Sequence, residues 1–108
     1  MKVGIEALGI AVPPTYVAME ELAKARNVEP SKYLEGIGTS QMAVALPDED
    51  TVTLAARAAK MALESAGVSP EDIALLAVGT ETAVDHSKPV ASYVQSLVGV
   101  GRHWRVFE

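Results

Sequence analysis

Cysteine is absent from the 108 residues, and aromatic side chains make up only 5% of them. Without cysteine these residues can form no disulfide framework, no thiolate metal site and no cysteine nucleophile, and the absence fits a cytosolic protein. Long apolar runs are missing too. The longest uncharged apolar stretch, residues 73–78, is far shorter than the ~20 residues of a membrane helix. We therefore expect a soluble, cytoplasmic chain that does not contact a membrane.

Basic residues are few and scattered along the chain. Nine Lys and Arg residues stand against 14 Asp and Glu residues, and the net charge is −5. Because the basic residues are spread from Lys2 to Arg105, they form no stripe that could neutralise phosphates, and we expect no nucleic-acid partner. The first residues pass directly into strand-like alternation, so no secretory leader is expected.

Hydrophobic alternation predicts several strands. The predicted strands cover residues 3–12, the segment with Met42, Val44 and Leu46, residues 73–78 and residues 102–108. Gly9 is predicted to mark a bulge in the first strand, which Pro13-Pro14 would end. Residues 73–78 are apolar on both parities, which is typical of a strand buried on both faces of a parallel sheet.

Helical periodicity separates these strands. The predicted helices cover residues 19–26, 31–34, 51–66 and 88–98. The third helix has Asp50 or Thr51 as its N-cap and Gly67 as its left-handed end. The order of strands and helices favours an α/β fold with right-handed βαβ units in a mostly parallel sheet, and the length fits one domain or part of one.

Glu81 is the candidate for chemistry that the residues themselves indicate. Ligands collect at the carboxyl ends of parallel strands, and Glu81 follows the predicted strand 73–78. A carboxylate partly desolvated by apolar strands could act as a general acid or base. The alternative is an ordinary loop carboxylate. Asp85, His86 and Lys88 are predicted to be solvated loop and cap residues, and we expect no metal site.

The amino-acid sequence around Glu81 resembles a segment that is typical of a known family. Residues 78–88, with the sequence VGTETAVDHSK, closely resemble the VGTETxxDxSK segment of 3-hydroxy-3-methylglutaryl-CoA synthases, which are members of the thiolase superfamily. Further passages agree in order and spacing: Gly4-Ile5-Glu6 with Val12-Pro13, Glu21-Leu22-Ala23 with Arg26, Lys32-Tyr33, Gly36-Ile37-Gly38, Met42-Ala43-Val44 and Glu49-Asp50. The resemblance covers all 108 residues and implies a thiolase-like α/β fold, a partial layered and mostly parallel sheet with helices.

The resemblance implies a Claisen-type condensation of two CoA thioesters. Acetyl-CoA acylates a cysteine, a glutamate removes a methyl proton, and the carbanion attacks the ketone of acetoacetyl-CoA. Hydrolysis then releases 3-hydroxy-3-methylglutaryl-CoA. Glu81 matches the family's catalytic glutamate. Glu29, Pro30 and Lys32 fall where the family contacts the CoA thioester, although relatives often carry Asp at the position of Glu29. For these three residues a helix cap with solvated charges is the alternative. No cofactor is implied besides these substrates.

The family's nucleophilic cysteine follows soon after an Arg-x-Phe-Glu pattern, which is present here as Arg105, Phe107 and Glu108. Residues 1–108 therefore correspond to the N-terminal part of a thiolase-like domain that stops before the cysteine, and alone they are expected to be inactive. Two alternatives stay open: a non-catalytic α/β module that self-associates or completes a partner, and part of a polyketide β-branching synthase. We also expect a homo-oligomer, a two-fold dimer formed through the strand at residues 102–108.

Overall fold

The computed structural model describes residues 3–99 and 104–108, and the chain divides into two units. The smaller unit is Val12–Asp48, and the larger unit comprises the described residues of Met1–Ala11 and Glu49–Glu108. The residues expected to contact a CoA thioester therefore belong to the smaller unit. Glu81 belongs to the larger one.

The smaller unit is a two-stranded antiparallel sheet with one helix. Strand β1 (Thr15–Ala18) pairs with β2 (Gln41–Val44), and Thr15 lies opposite Val44. The predicted second strand is thereby confirmed up to Val44, and Leu46 lies beyond it. Helix α1 (Met19–Ala25) follows β1 directly, as its apolar spacing predicted, and buries Met19 and Ala23 on one face.

A π-helical turn, Lys32–Ile37, stands where a short helix was predicted over residues 31–34. The turn is longer than the predicted helix: it continues through Gly36 and ends at Gly38. Gly38 has φ +74°, a left-handed conformation that glycine adopts without the steric cost of a Cβ atom.

Helix α2 (Thr51–Ala66) in the larger unit has the predicted bounds because both of its ends are capped by local chemistry. The Asp50 carboxylate accepts a hydrogen bond from the Thr53 N–H at 2.8 Å, and the Thr53 hydroxyl accepts one from the Asp50 N–H, also at 2.8 Å. At the other end Gly67 takes the left-handed conformation with φ +64°.

The core of the larger unit forms between α2 and α3 (Val90–Val98). Alanine-rich turns of α2 let the two helices approach closely, and the buried residues at their contact are Val52, Ala56, Val90, Val94 and Val98. Helix α3 was predicted from residue 88, but it begins two residues later because Pro89 occupies the N-cap position.

Strands β3 (Leu75–Ala77) and β4 (Arg105–Phe107) form a parallel pair joined through α3, which confirms the predicted βαβ order. Leu76 and Val78 pack against the helical core, whereas Leu75 is 53% exposed and Phe107 is 56% exposed. The prediction of a strand buried on both faces was therefore wrong for the described residues, because the helices cover one face of the pair. Arg102 and His103 of the predicted last strand lie outside the described residues.

Residues 3–12 form no strand, contrary to the prediction. A strand needs a hydrogen-bonded neighbour, and no described strand pairs with this segment, whose apolar side chains, such as Val3 and Ile5, are highly exposed. Gly9 marks no bulge. It lies against the backbone of α2, where a Cβ atom at residue 9 would be 2.1 Å from the Ala58 carbonyl oxygen.

Candidate functional site

The loop that carries Glu81 leaves the carboxyl edge of the parallel pair. This segment, residues 78–89, connects β3 to α3 and is called the Glu81 loop below. Its first residue is fixed to the neighbouring strand, because the Val78 N–H donates to the Phe107 carbonyl oxygen at 3.0 Å. Glu81 thus lies at the sheet edge where open parallel sheets collect ligands.

Glu81 is the central residue of a small turn. The Thr80 hydroxyl oxygen accepts a hydrogen bond from the Thr82 N–H at 3.0 Å, which holds the backbone on either side of Glu81. The Glu81 side chain is exposed, and among the described residues its carboxylate has no hydrogen-bond or ion-pair partner. The expected desolvation by apolar strands is therefore absent from the described structure, because β3 and β4 cover none of this turn.

Asp85 is the most strongly bound side chain of the Glu81 loop. Its Oδ1 accepts hydrogen bonds from the Ser87 N–H at 2.8 Å and from the Ser87 hydroxyl at 2.7 Å, and its Oδ2 accepts one from the Tyr93 hydroxyl. The bond from Tyr93, and then those from Ser87, lower the pKa of Asp85 to about 2. The same bond raises the pKa of Tyr93, because losing the phenolic proton beside a carboxylate would place two negative charges together.

This arrangement corrects the interpretation of Asp85 as a plainly solvated loop residue. The side chain is half-buried and connects the loop to α3, whereas His86 and Lys88 are exposed, as predicted. The spacing of Asp85 and Tyr93 across the start of a helix was visible in the sequence. It carries no local signature, because the two side chains meet only once the loop folds back on α3.

Glu108 makes a second contact that was not predicted from the sequence. Its carboxylate accepts a hydrogen bond from the Val90 N–H, the first backbone donor of α3. Pro89, at the N-cap, has no side chain that could accept this bond, so the carboxylate at the end of β4 caps the helix instead. No local signal indicated this contact, because Ser87 stands directly before the predicted helix start at residue 88 and is itself a favourable N-cap residue.

Glu29, Pro30 and Lys32 lie together in the smaller unit, at the start of the π-helical turn. The Glu29 carbonyl oxygen accepts from the Lys32 N–H at 3.1 Å, and the side chains of all three residues are exposed. The hydrogen bond from Lys32 to Glu29 thus keeps these three exposed residues close to one another. Glu81, the fourth predicted site residue, is in the other unit.

No cluster of three or more His, Asp or Glu side chains in residues 3–99 and 104–108 is placed to hold a metal ion. The helices in the same ranges also lack the length and apolar character that a bilayer crossing requires. The polar side chains of the Glu81 loop are the carboxylates of Glu81 and Asp85, hydroxyls, the His86 imidazole and the Lys88 ammonium.

Comparison with known proteins gives consistent matches. Residues 1–103 match the family described as hydroxymethylglutaryl-coenzyme A synthase N terminal. The chain is 43% identical over 108 residues to the hydroxymethylglutaryl-CoA synthase of Enterococcus faecalis, covering 100% of this chain and 28% of that protein. It is 34% identical over 106 residues to the polyketide biosynthesis 3-hydroxy-3-methylglutaryl-ACP synthase PksG of Bacillus subtilis, covering 97% of this chain and 25% of that protein.

The fold matches as well as the sequence does. A solved structure of MvaS in complex with 3-hydroxy-3-methylglutaryl coenzyme A superimposes with a TM-score of 0.87 at 54% identity, covering 99% of this chain and 26% of that one. The expected thiolase-like α/β fold is thereby confirmed. The chain spans about a quarter of the length of the relatives that it matches.

Proposed function

Because the chain belongs to the hydroxymethylglutaryl-coenzyme A synthase family, we propose that it supplies the N-terminal part of an enzyme that condenses acetyl-CoA with acetoacetyl-CoA. The product is 3-hydroxy-3-methylglutaryl-CoA, which feeds isoprenoid synthesis by the mevalonate route. The observation that carries this proposal is the 43% identity to the Enterococcus faecalis synthase over all 108 residues. The enzyme is thus an acyltransferase that forms a carbon–carbon bond.

The reaction has three steps, and the proposal gives Glu81 a part in the second. A cysteine thiolate outside these 108 residues takes the acetyl group from acetyl-CoA and releases CoA. Glu81 then removes a proton from the acetyl methyl group, the resulting carbanion attacks the ketone carbon of acetoacetyl-CoA, and the protonated Glu81 returns its proton to the new alkoxide. Water finally hydrolyses the thioester to the cysteine and frees the product.

Two structural features support Glu81 in this role. The carboxylate stands on a turn at the carboxyl edge of the parallel pair, and within the described residues no ion pair or hydrogen bond occupies it. A carboxylate that forms no internal contact keeps both oxygens available to accept a proton. In the proposed enzyme, the bound substrate and the rest of the protein exclude water from the Glu81 carboxylate.

Glu29, Pro30 and Lys32 are proposed to contact the CoA thioester. Their exposure and their common turn support this assignment, because a ligand can approach all three together. The Lys32 ammonium suits the negatively charged phosphates of CoA. Reversing its charge with Lys32→Glu is expected to raise the KM for the CoA substrates more than it lowers kcat.

A substrate carried on a carrier protein is the second candidate, and the 34% identity to PksG favours it. The two candidates share the chemistry and differ in what holds the acyl group. A third possibility, a non-catalytic module, predicts no condensation with either substrate.

The same proposal includes a cytoplasmic, dimeric enzyme. In the described sheet β4 pairs on one side with β3 and leaves its other edge unpaired, and the Phe107 side chain of β4 is 56% exposed. An unpaired edge next to an exposed apolar side chain suits a second copy of the chain. We place the contact at the strand that ends at Glu108.

A chimera tests the proposed activity directly. Residues 1–108 replace the matching segment of the Enterococcus faecalis synthase, and product formation is measured with acetoacetyl-CoA and, separately, with an acetoacetyl carrier protein. We expect turnover with the CoA substrate and none from the 108 residues alone. A folded chimera that uses only the carrier substrate would support the second candidate, and one inactive with both would contradict the proposed enzyme function.

A further inference from the structure

Within the described residues, one side-chain hydrogen bond connects the Glu81 loop to another element of the fold. Of the side-chain bonds in this loop that involve described residues, those between Thr80 and Thr82 and between Asp85 and Ser87 are local. The bond from the Tyr93 hydroxyl to Asp85 Oδ2 instead reaches a residue of α3. The Val78 N–H bond to the Phe107 carbonyl oxygen holds the start of the loop, and the bond from Tyr93 is the side-chain anchor that holds its second half.

Helix α3 is a rigid support for this anchor. Val90, Ala91 and Val94, which surround Tyr93 in sequence, are fully buried at 0% exposure. The first turn of the helix is held from a second direction by the Glu108 carboxylate, which accepts from the Val90 N–H. A hydroxyl on such a helix has little freedom to move, so a group bonded to it is held in place.

The two carboxylate oxygens of Asp85 accept hydrogen bonds from different residues. Oδ1 takes both bonds from Ser87, and Oδ2 takes the bond from Tyr93, so the orientation of the carboxylate is fixed from two sides. Hydrogen bonds to an ionised carboxylate are stronger than those between neutral groups. Asp85 is four residues from Glu81, a span of at most about 14 Å when extended. Because Asp85 is held in place, the positions that the backbone of Glu81 can occupy are restricted.

We propose that Tyr93 is a positioning residue for Glu81 and acts by holding Asp85 through its hydroxyl. The inference rests on the proposed function of Glu81 and deepens it. With the Tyr93 hydroxyl in place, the part of the loop that is free between anchors is residues 79–84. Without it, the free part extends to the start of α3. The role belongs to the hydroxyl, because the ring itself packs against the α2–α3 core.

The variant Tyr93→Phe removes the hydroxyl and keeps the ring. In the chimera described above, we expect kcat to fall by about tenfold, because displacement of a catalytic group by a fraction of an ångström to 1 Å costs rate. We expect KM to change by less than about twofold, because Tyr93 has no part in the proposed substrate contacts. Tyr16→Phe is the matched control: it deletes the same atom from a tyrosine that is 62% exposed in the smaller unit.

Two further measurements separate positioning from a general structural role. If Tyr93 acts through Asp85, then Asp85→Asn combined with Tyr93→Phe should cost no more than Asp85→Asn alone, since effects along one chain of contacts are not additive. In the isolated 108-residue chain, Tyr93→Phe should speed amide hydrogen exchange at residues 79–87 and leave α3 protected.

The outcomes distinguish this proposal from the proposed function. An active chimera whose kcat is unchanged by Tyr93→Phe overturns the positioning role and leaves the function intact. Loss of protection throughout α3, or additive costs in the double variant, also overturns it. A wild-type chimera that makes no product contradicts the proposed function, and in that case unchanged exchange at residues 79–87 would still overturn the Tyr93 anchor.

Discussion

Replacing Gly9 with alanine tests the contact that attaches the N-terminal segment to α2. The added Cβ atom would lie 2.1 Å from the Ala58 carbonyl oxygen and 2.7 Å from the Ala62 nitrogen. Ordinary contacts between such atoms need about 3.4 Å or more, so the segment must move away from the helix by more than about 1 Å. Both opposing atoms are backbone atoms of a helix, and neither can turn aside as a side chain does.

We expect Gly9→Ala to lower the free energy of unfolding by about 1–3 kcal/mol, the usual cost of forcing extra volume into a packed contact. Urea unfolding followed by far-UV circular dichroism measures this change. Gly4→Ala is the matched control, because a Cβ atom at residue 4 meets nothing within 4 Å. Equal stability of the two variants would refute the close approach of residue 9 to α2.

Three further predictions concern the cap of α2, the Asp85 bond and assembly. Asp50→Ala removes the acceptor for the Thr53 N–H and should lower the free energy of unfolding by about 1 kcal/mol, with Asp48→Ala as the control. The bonds from Thr53 lower the pKa of Asp50 in the folded state. The stability that the Asp50 cap contributes should therefore be complete above the ordinary pKa of 3.8 and should decrease as the pH falls below it. A difference in unfolding free energy between wild type and Asp50→Ala that does not change with pH would contradict this effect of the hydrogen bonds. Asp85→Asn removes the partner that raises the pKa of Tyr93, so ultraviolet titration should show one tyrosine ionising at lower pH, and an unchanged titration curve would count against the bond. Light scattering after size exclusion at low micromolar concentration should give about twice the 11.3 kDa chain mass, whereas a constant monomer mass would contradict the dimer.

Features with local causes were predictable from the sequence. The bounds of α2 followed from Asp50 and Gly67, whose side chain and backbone freedom act within one turn of the helix. The position of Glu81 after a parallel strand followed from the apolar stretch before it, because strand and loop adjoin in the chain.

Features that depend on distant partners were not predictable in the same way. Residues 3–12 have the alternation of a strand, but pairing requires a neighbour that the alternation does not specify. The burial of Leu75 depends on what covers the second face of the β3–β4 pair. The contacts from Asp85 to Tyr93 and from Glu108 to α3 join residues that meet only after the βαβ unit has folded.

The role of Glu81 is the central claim, and single-turnover measurement on the Glu81→Ala chimera tests it most directly. Mass spectrometry after mixing with acetyl-CoA reports the acetyl-enzyme, and the later addition of acetoacetyl-CoA reports condensation. If Glu81 is the acid and base of the condensation step, acetyl-enzyme still forms and condensation slows by about 10²–10⁴-fold relative to the unsubstituted chimera. Condensation at a nearly unchanged rate in a folded Glu81→Ala chimera would contradict the account.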